Sequence, residues 1–260
     1  MKIYIINQKS LLKIALAFVL VFTSMIVSKP YLHELTQTIA QKPTRKLPIY
    51  CVEREDNKIS ISFDAAWGAD DTDDLLQILE KHNIKATFFL VGDWVKRYPD
   101  EVKRIADAGH EIGNHSDTHP HVAQMSKESL KKEIMTAHQR VKDLTGRDMK
   151  LFRPPYGEYN NTVIEAAEEC GYYAIQWDVD SLDWKEYGVD PLIKQVLDHK
   201  HLGNGSIILF HNNAKYTKDA LNSIIEGLMN KGFDIVPISE LILKENYYMD
   251  HEGRQKPNKK

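Results

Sequence analysis

The sequence has no basic excess, no glycine-rich phosphate loop, no internal repeat and no low-complexity block. Its 260 residues carry a formal net charge of −3, and the sequence pI is near 6.4. Binding to the phosphate backbone of nucleic acids depends on clustered basic side chains, so we expect no nucleic-acid partner. With 42% apolar and 27% charged residues, the chain suits a single large folded domain with extensions.

Long apolar runs are also scarce, and the one that stands out lies near the N-terminus. Residues 14–27 are almost entirely apolar, and the thirteen residues before them contain three lysines and no acidic residue. This pattern is typical of an export signal that sends the rest of the chain outside. The run approaches the roughly 20 apolar residues of a membrane-spanning helix, and no clear cleavage site follows it. We therefore expect residues 1–27 to be a signal peptide or a membrane anchor, and the remainder to be extracytoplasmic, at the cell wall or the membrane.

Cysteine is nearly absent as well, with Cys51 and Cys170 as the two examples. They could pair in an exported chain, but the sequence does not establish a disulfide, and we favour two structural thiols. Composition divides the remainder into a linker over residues 28–57, rich in proline and charge, and a folded domain over residues 58–243. The polar, lysine-rich residues 244–260 are expected to form a flexible tail.

From Lys58 onward, short β-rich runs alternate with amphipathic stretches of helical period. This alternation is typical of βα units arranged around a parallel sheet. A closed or nearly closed parallel barrel is the preferred interpretation, and a doubly wound open sheet ranks second because the chain lacks a glycine-rich phosphate loop. The predicted strands cover residues 59–64, 86–90, 111–113, 151–152, 173–177, 206–210 and 233–236.

Side chains capable of acid–base or metal chemistry follow the ends of several predicted strands. Because the C-terminal ends of parallel strands converge on one face of a barrel, these side chains are expected to share one site. Two tryptophans nearby, Trp67 and Trp184, are of a type that more often packs than contacts a substrate. The residues with chemical capacity are Asp64, His115, His119, Arg153, Asp180, Asp183 and His211.

Two imidazoles four residues apart, at His115 and His119, can hold one divalent metal ion. Pro120 disfavours a helix at this point, so the pair is expected in an ordered loop at a strand end. A hydrolase of amides or esters also needs a base for the attacking water and an acid for the leaving group. Asp64 can serve as the base, and His211 can protonate a departing amine.

Charged partners for these groups are available in the same set. Arg153 can pair with a carboxylate and hold it ionised and oriented, and Asp180 or Asp183 can do the same for protonated His211. Each residue also has a structural alternative when it is considered singly. Asp64 suits a turn or a helix cap, Arg153 suits a clamp before two prolines, and the two acids suit a solvated turn.

Five motifs, taken in order, resemble those of the polysaccharide deacetylase family, also called the NodB homology family or carbohydrate esterase family four. The resemblance spans about residues 58–243 and therefore most of the chain. The motifs are SFD at residues 62–64, HSDTH at 115–119, RPPYG at 153–157, DSLDW at 180–184 and ILFH at 208–211.

This resemblance implies an α/β fold, namely a distorted (β/α) barrel with about seven parallel strands. It also implies removal of N-acetyl groups from a cell-wall glycan, peptidoglycan above all, with the help of a divalent metal such as zinc. The protein is expected to contact the membrane only through its N-terminal segment, if that segment is not cleaved. The implied site residues are His115 and His119 for the metal; Asp64, Arg153, Asp180, Asp183 and His211 for catalysis; and Tyr156, Trp184 and Leu209 for substrate binding.

Two positions depart from the family pattern. Ala65 stands where the family has a second aspartate that serves as the third metal ligand, and a methyl group cannot coordinate a metal. Zinc held by two histidines alone would bind weakly, unless Asp64 binds the metal directly or the carboxylate of Asp70 moves in to become a ligand. Asn212 stands where an aspartate often follows the last histidine, which removes a charge beside the expected acid.

The first motif has the form F-D-x-x-W-G at residues 63–68 and resembles the sporulation branch of the family, whose members act around spore peptidoglycan. Three hypotheses about function stay open from the sequence. The chain is a cell-wall N-deacetylase, a metal-poor glycan-binding protein that retains the barrel, or a deacylase of small or non-glycan amides on the same fold.

Overall fold

The computed structural model describes Lys13 and residues 45–258. The predicted signal or anchor over residues 1–27 and most of the predicted linker therefore lie outside the described residues, Lys13 apart. The chain divides into two units, Met1–Arg45 and Lys46–Lys260, and the second holds all the described strands. The described residues contain no helix with the length and apolar character needed to span a bilayer.

Parallel strands dominate the second unit. The described strands are β1 Cys51–Val52, β2 Lys58–Ala65, β3 Thr87–Leu90, β4 Glu111–Asn114, β5 Leu151–Phe152, β6 Tyr173–Ala174, β7 Val179–Asp180, β8 Ile207–His211, β9 Asp234–Ile235, β10 Tyr247–Met249 and β11 Arg254–Pro257. Seven of them form one parallel sheet in the order β6-β5-β4-β3-β2-β8-β7, and β9 pairs with the start of β2. The predicted distorted (β/α) barrel with about seven parallel strands is confirmed.

Helices connect these strands, as the alternating pattern predicts. The described helices are α1 Thr72–Lys81, α2 Gly92–Arg97, α3 Pro99–Asp107, α4 Lys127–Thr145, α5 Asn161–Glu169, α6 Val189–Leu197, α7 Thr217–Asn230 and α8 Ile238–Leu241. The longest, α4, begins after Ser126, whose hydroxyl accepts from the backbone N–H of Ser129. It ends at Gly146, which has a left-handed φ of 73°.

Strand β2 lies in the middle of the sheet, and its residues from Ile59 to Ala65 are all buried. A central strand of a parallel barrel, covered on both of its faces, is expected to be buried in this way. Its neighbours β3 and β8 pair so that Asp64 lies opposite Phe89 on one side and His211 on the other. The strand register therefore brings a carboxylate and an imidazole together although they are far apart in the sequence.

Strand β4 approaches β3 so closely that there is no room for a side chain at Gly113. A Cβ atom at this position would lie 2.4 Å from the ring of Phe89. The contact holds β4 against β3 two residues before His115, which therefore begins its loop from a fixed point.

The C-terminal segment forms strands where its composition predicts a flexible tail. β10 and β11 pair antiparallel, and β11 pairs parallel with β1, which lies in the predicted linker. Gln255 is fully buried, and its side-chain amide bonds to the backbone N–H and C=O of Leu243. Composition misses this structure because strand pairing uses backbone groups, which polar residues carry as well as apolar ones.

Helix α2 and strand β7 are two short elements that the sequence pattern does not predict. Helix α2 has six residues and β7 has two, and neither is long enough for a recognisable hydrophobic period.

Cys51 and Cys170 are both free thiols, which agrees with the structural role expected for them. Burial raises the pKa of Cys51 to about 12.

Candidate active site

A pocket of about 610 Å³ opens at the C-terminal ends of the parallel strands, where the sequence predicts a shared site. This volume lies within the roughly 300–1,000 Å³ of typical small-molecule sites. Two predicted residues, Arg153 and Asp183, are buried behind the lining and bond to residues that form it. The predicted residues that line the pocket are Asp64, His115, His119, Tyr156, Asp180, Trp184, Leu209 and His211.

Asp64 and Arg153 form a buried ion pair. Arg153 Nη1 donates to Asp64 Oδ1 at 2.7 Å, and Nη2 donates to Ser62 Oγ at 2.9 Å. The guanidinium of Arg153 is fully buried, and its central carbon lies 4.1 Å from the centre of the Phe89 ring. Burial by itself would raise the pKa of Asp64, but the charge of Arg153, together with that of nearby His211, outweighs it and holds the pKa below its usual range. Asp64 is therefore an ionised carboxylate with a fixed orientation.

His115 faces Asp64 from the end of β4. Its Nδ1 lies 2.7 Å from the carbonyl oxygen of Arg153, and because a carbonyl only accepts, Nδ1 carries the proton. Its Nε2 lies 3.5 Å from Asp64 Oδ2. Burial lowers the pKa of His115 more than the charge of Asp64 raises it, so the ring is neutral and Nε2 has a lone pair. This is the form in which an imidazole binds a metal.

His119 provides the second imidazole. The centre of its ring lies 4.9 Å from that of His115, and burial together with this neighbour lowers the pKa of His119 to about 4. The backbone N–H groups of Asp117 and Thr118, between the two histidines, both donate to the carboxylate of Glu133. The segment is a loop held by these bonds, as the proline after His119 predicts.

A three-ligand metal centre does not fit these side chains. Across residues 45–258, no group of three or more His, Cys, Asp or Glu side chains is arranged to hold a metal ion. Ala65 is 1% exposed, and its methyl group cannot coordinate a metal. Asp70, the other carboxylate considered as a ligand, is exposed and lies outside the pocket lining. His119 Nδ1 is buried without a partner among the described residues, and the pocket offers two imidazoles without the third ligand of a usual catalytic zinc.

His211 and Asp183 form a second charged pair. His211 Nδ1 lies 2.7 Å from Asp183 Oδ1, and Asp183 Oδ2 accepts from the hydroxyl of Thr217 at 2.8 Å. Burial by itself would lower the pKa of His211, but the hydrogen bond and charge of Asp183 outweigh it and raise the pKa. Asp180 has a different place, because its carboxylate accepts from the backbone N–H of Leu182 at 2.9 Å. Of the two acids that the sequence leaves as equals, Asp183 is the one that pairs with the histidine.

The expected substrate contacts lie on the same pocket. Tyr156 has a left-handed φ of 58° within a 3₁₀ turn, and its ring packs against the ring of His119 with centres 4.5 Å apart. Trp184 is 56% exposed, and Leu209 on β8 is buried. Aromatic and aliphatic walls beside a few charged groups are the usual composition of a small-molecule site.

The pocket also contains residues outside the set that the sequence predicts for the site. Trp67, expected to be a packing residue, is 60% exposed and lines the pocket, and Trp177 and Asn213 line it too. A tryptophan in a buried strand and one at a strand end look alike in a sequence. The one available signal is Gly68, which indicates that a loop carries Trp67.

Known proteins with similar sequences indicate the family of this chain. The sequence profile described as polysaccharide deacetylase matches residues 52–175. The chain is 35% identical to a peptidoglycan-N-acetylglucosamine deacetylase of Bacillus cereus over 188 residues, which is 71% of this chain and 68% of that protein.

Solved structures give the same result for the fold. A CE4 family pseudoenzyme from Bacillus anthracis is 33% identical with a TM-score of 0.72, over 75% of this chain and 68% of that one. A mutant of that pseudoenzyme with restored enzymatic activity is 34% identical with a TM-score of 0.72, over 75% of this chain and 70% of that one.

Proposed function

The chain belongs to the polysaccharide deacetylase family, and from this premise we propose that it is an exported hydrolase that removes N-acetyl groups from a cell-wall glycan, peptidoglycan above all. Its class is that of the polysaccharide N-deacetylases. The observation that carries the proposal is the presence of two charged pairs at one pocket, Asp64 with Arg153 and His211 with Asp183. The first pair supplies an ionised base, and the second supplies an acid whose pKa is raised.

Hydrolysis of an acetamide needs a proton removed from water and a proton given to the leaving nitrogen. Asp64, with its lowered pKa, takes the proton from the water that attacks the carbonyl carbon, and His211, with its raised pKa, protonates the amine. The two residues lie opposite each other on adjacent strands, so both can act on one small reacting unit. The backbone N–H of the turn at Tyr156 donates a hydrogen bond to the oxyanion that forms from the carbonyl oxygen. Trp184 and Leu209 enclose the acetyl methyl group.

The family is generally metal-dependent, but this pocket provides His115 and His119 without a carboxylate at position 65. A divalent metal, zinc above all, is therefore proposed to bind weakly. The apolar N-terminal run supports export, and the form of the first motif supports a role around spore peptidoglycan. Relatives named as peptidoglycan deacetylases support the cell wall as the place of action.

Acetate release from peptidoglycan tests the proposal. The full-length chain, purified in mild detergent, is expected to release acetate, and Asp64→Asn and His211→Gln are each expected to lower kcat by about 10²–10⁴-fold. Circular dichroism of each variant checks that the fold is kept. Undiminished release by either variant would contradict its assigned role. Release from small acetylated amides but not from peptidoglycan would favour the small-amide hypothesis instead.

A second candidate function is glycan binding without turnover. It is favoured by Ala65, which removes the family's third metal ligand, and by the likeness to the Bacillus anthracis pseudoenzyme. Saturable binding of a chitooligosaccharide with no acetate released, with or without added zinc or cobalt, would support this function over hydrolysis.

A further inference from the structure

We propose that Trp67 forms a carbohydrate-binding subsite next to the reacting sugar, where its indole packs against the apolar face of the neighbouring pyranose. The inference rests on the proposed function, because it takes the ligand to be a chain of sugars. A pyranose has a face of C–H groups between its hydroxyls, and an exposed aromatic ring can cover this face while the hydroxyls stay in water.

The exposure of Trp67 is the first observation. Trp67 is 60% exposed and lines the pocket together with Tyr156 and Trp184, which are 55% and 56% exposed. Large apolar side chains gathered at one exposed place mark a binding surface. The pocket, at about 610 Å³, also has far more room than a single acetamide group needs.

The contacts of the three aromatic rings distinguish them. The Tyr156 ring is stacked on the His121 ring with centres 4.6 Å apart, and Lys185 Nζ lies 5.0 Å from the centre of the Trp184 ring. Each of these rings therefore has a neighbour over one face. The centre of the Trp67 ring lies 5.2 Å from the centre of the His119 ring, and the two ring planes are inclined by 66°. Most of Trp67 stays exposed. Trp67 is therefore the ring best placed for a sugar outside the reacting position.

Hydrogen bonds from distant side chains hold the loop that carries Trp67. The carbonyl oxygen of Gly68 accepts from the indole N–H of Trp94 at 2.6 Å and from the side-chain amide of Asn212 at 2.8 Å. Gly68 has a φ of 61°, and a Cβ atom there would lie 2.1 Å from Asn213 Nδ2, so the loop needs glycine at this position. Because these bonds hold the loop, a sugar that packs on Trp67 has less ordering of the loop to impose.

Binding of N-acetylglucosamine and of its linear hexamer to the full-length chain tests the subsite, with ligand-observed NMR titration in mild detergent. Trp67→Ala is expected to weaken hexamer binding about tenfold and monomer binding less than about twofold. Trp67→Phe, which keeps a ring, is expected to recover most of the hexamer affinity. Tyr187→Ala is the matched control, because Tyr187 is 65% exposed and lies outside this pocket.

Hexamer affinity that is unchanged in Trp67→Ala, or that falls equally for hexamer and monomer, overturns the subsite. Acetate release from the hexamer by the same samples separates this result from the proposed function. Release with a hexamer affinity independent of Trp67 rejects the subsite alone. Hexamer binding that depends on Trp67, with no acetate released from either the hexamer or peptidoglycan, supports the subsite and rejects hydrolysis. If the unmodified chain binds neither sugar, the subsite is rejected, and acetate release from peptidoglycan decides the proposed function separately.

Discussion

Asp183 holds His211 with both of its carboxylate oxygens. Oδ1 lies 2.7 Å from the ring Nδ1, and Oδ2 accepts from the backbone N–H of the same histidine at 2.7 Å. The arrangement fixes the orientation of the ring and favours its protonated form. Since Nδ1 is engaged, Nε2 is the ring nitrogen left to give a proton to a substrate.

Asp183→Asn is expected to move the alkaline limb of acetate release to lower pH. Burial lowers the pKa of His211, and the hydrogen bond and charge of Asp183 more than compensate, so loss of the carboxylate lets the pKa fall. An acid works only while it is protonated, and activity therefore declines as pH rises through this pKa. The pH profile of kcat/KM shows the shift. Asp180→Asn, which removes a charge but not the direct bond, should give a smaller one; equal shifts would contradict the special role of Asp183.

Arg153→Met is expected to lower the free energy of unfolding by about 3–5 kcal/mol, because it leaves the buried carboxylate of Asp64 unpaired. Chemical denaturation at pH 7 measures the change. Arg104→Met is the matched control: Arg104 pairs with Asp73 and Glu101 at the surface, where the loss of ion pairs has little effect on stability. Adding Asp64→Asn to Arg153→Met should recover part of the loss. A double variant no more stable than Arg153→Met would show that the cost does not come from the unpaired charge.

The ends of the central strands could be predicted from the sequence because they are local features. Asp64 and His211 each close a short β-rich run, and the meeting of such ends on one face follows from parallel topology. The pairing of β2 with β8, which sets the two residues side by side, depends on packing between distant segments. For the same reason, the sequence does not show whether Asp180 or Asp183 pairs with His211. The conformation of the turn between the two acids determines which one reaches the histidine.

Trp67 and the C-terminal hairpin show what composition does not reveal. The exposure of Trp67 depends on where the loop after β2 lies, and side chains distant in sequence hold that loop, among them those of Trp94, Asn212 and Asn213. The order of residues 247–257 comes from backbone pairing with β1 and from one buried glutamine. Neither feature has a hydrophobic period that a sequence pattern could detect.

Asp178→Asn is expected to stabilise the fold at neutral pH and to leave it unchanged near pH 4. Burial raises the pKa of Asp178 from 3.8 to about 6, so its contribution to stability is complete below about pH 4 and is lost as pH rises through about 6. The loss is on the order of 3 kcal/mol. Asparagine can still accept from the backbone N–H of Ile207. Unfolding free energies at pH 4 and 7.5 test this, with exposed Asp143→Asn as control; an equal effect at both pH values would exclude this account.

Ala65→Asp is expected to tighten zinc binding. Removing only the hydrogen-bond partners that orient the ligands lowers the metal affinity of protein sites by about 10–100-fold. A direct third ligand beside two imidazoles should therefore raise the zinc affinity at least about tenfold. Isothermal titration of the full-length chain with zinc measures the gain, and circular dichroism checks the fold. His119→Ala in the Ala65→Asp background is the control, because a gain that needs both ligands must disappear there. Acetate release from peptidoglycan is a second readout. An affinity equal to that of the unmodified chain, or a gain that survives His119→Ala, would mean that position 65 does not face the two histidines.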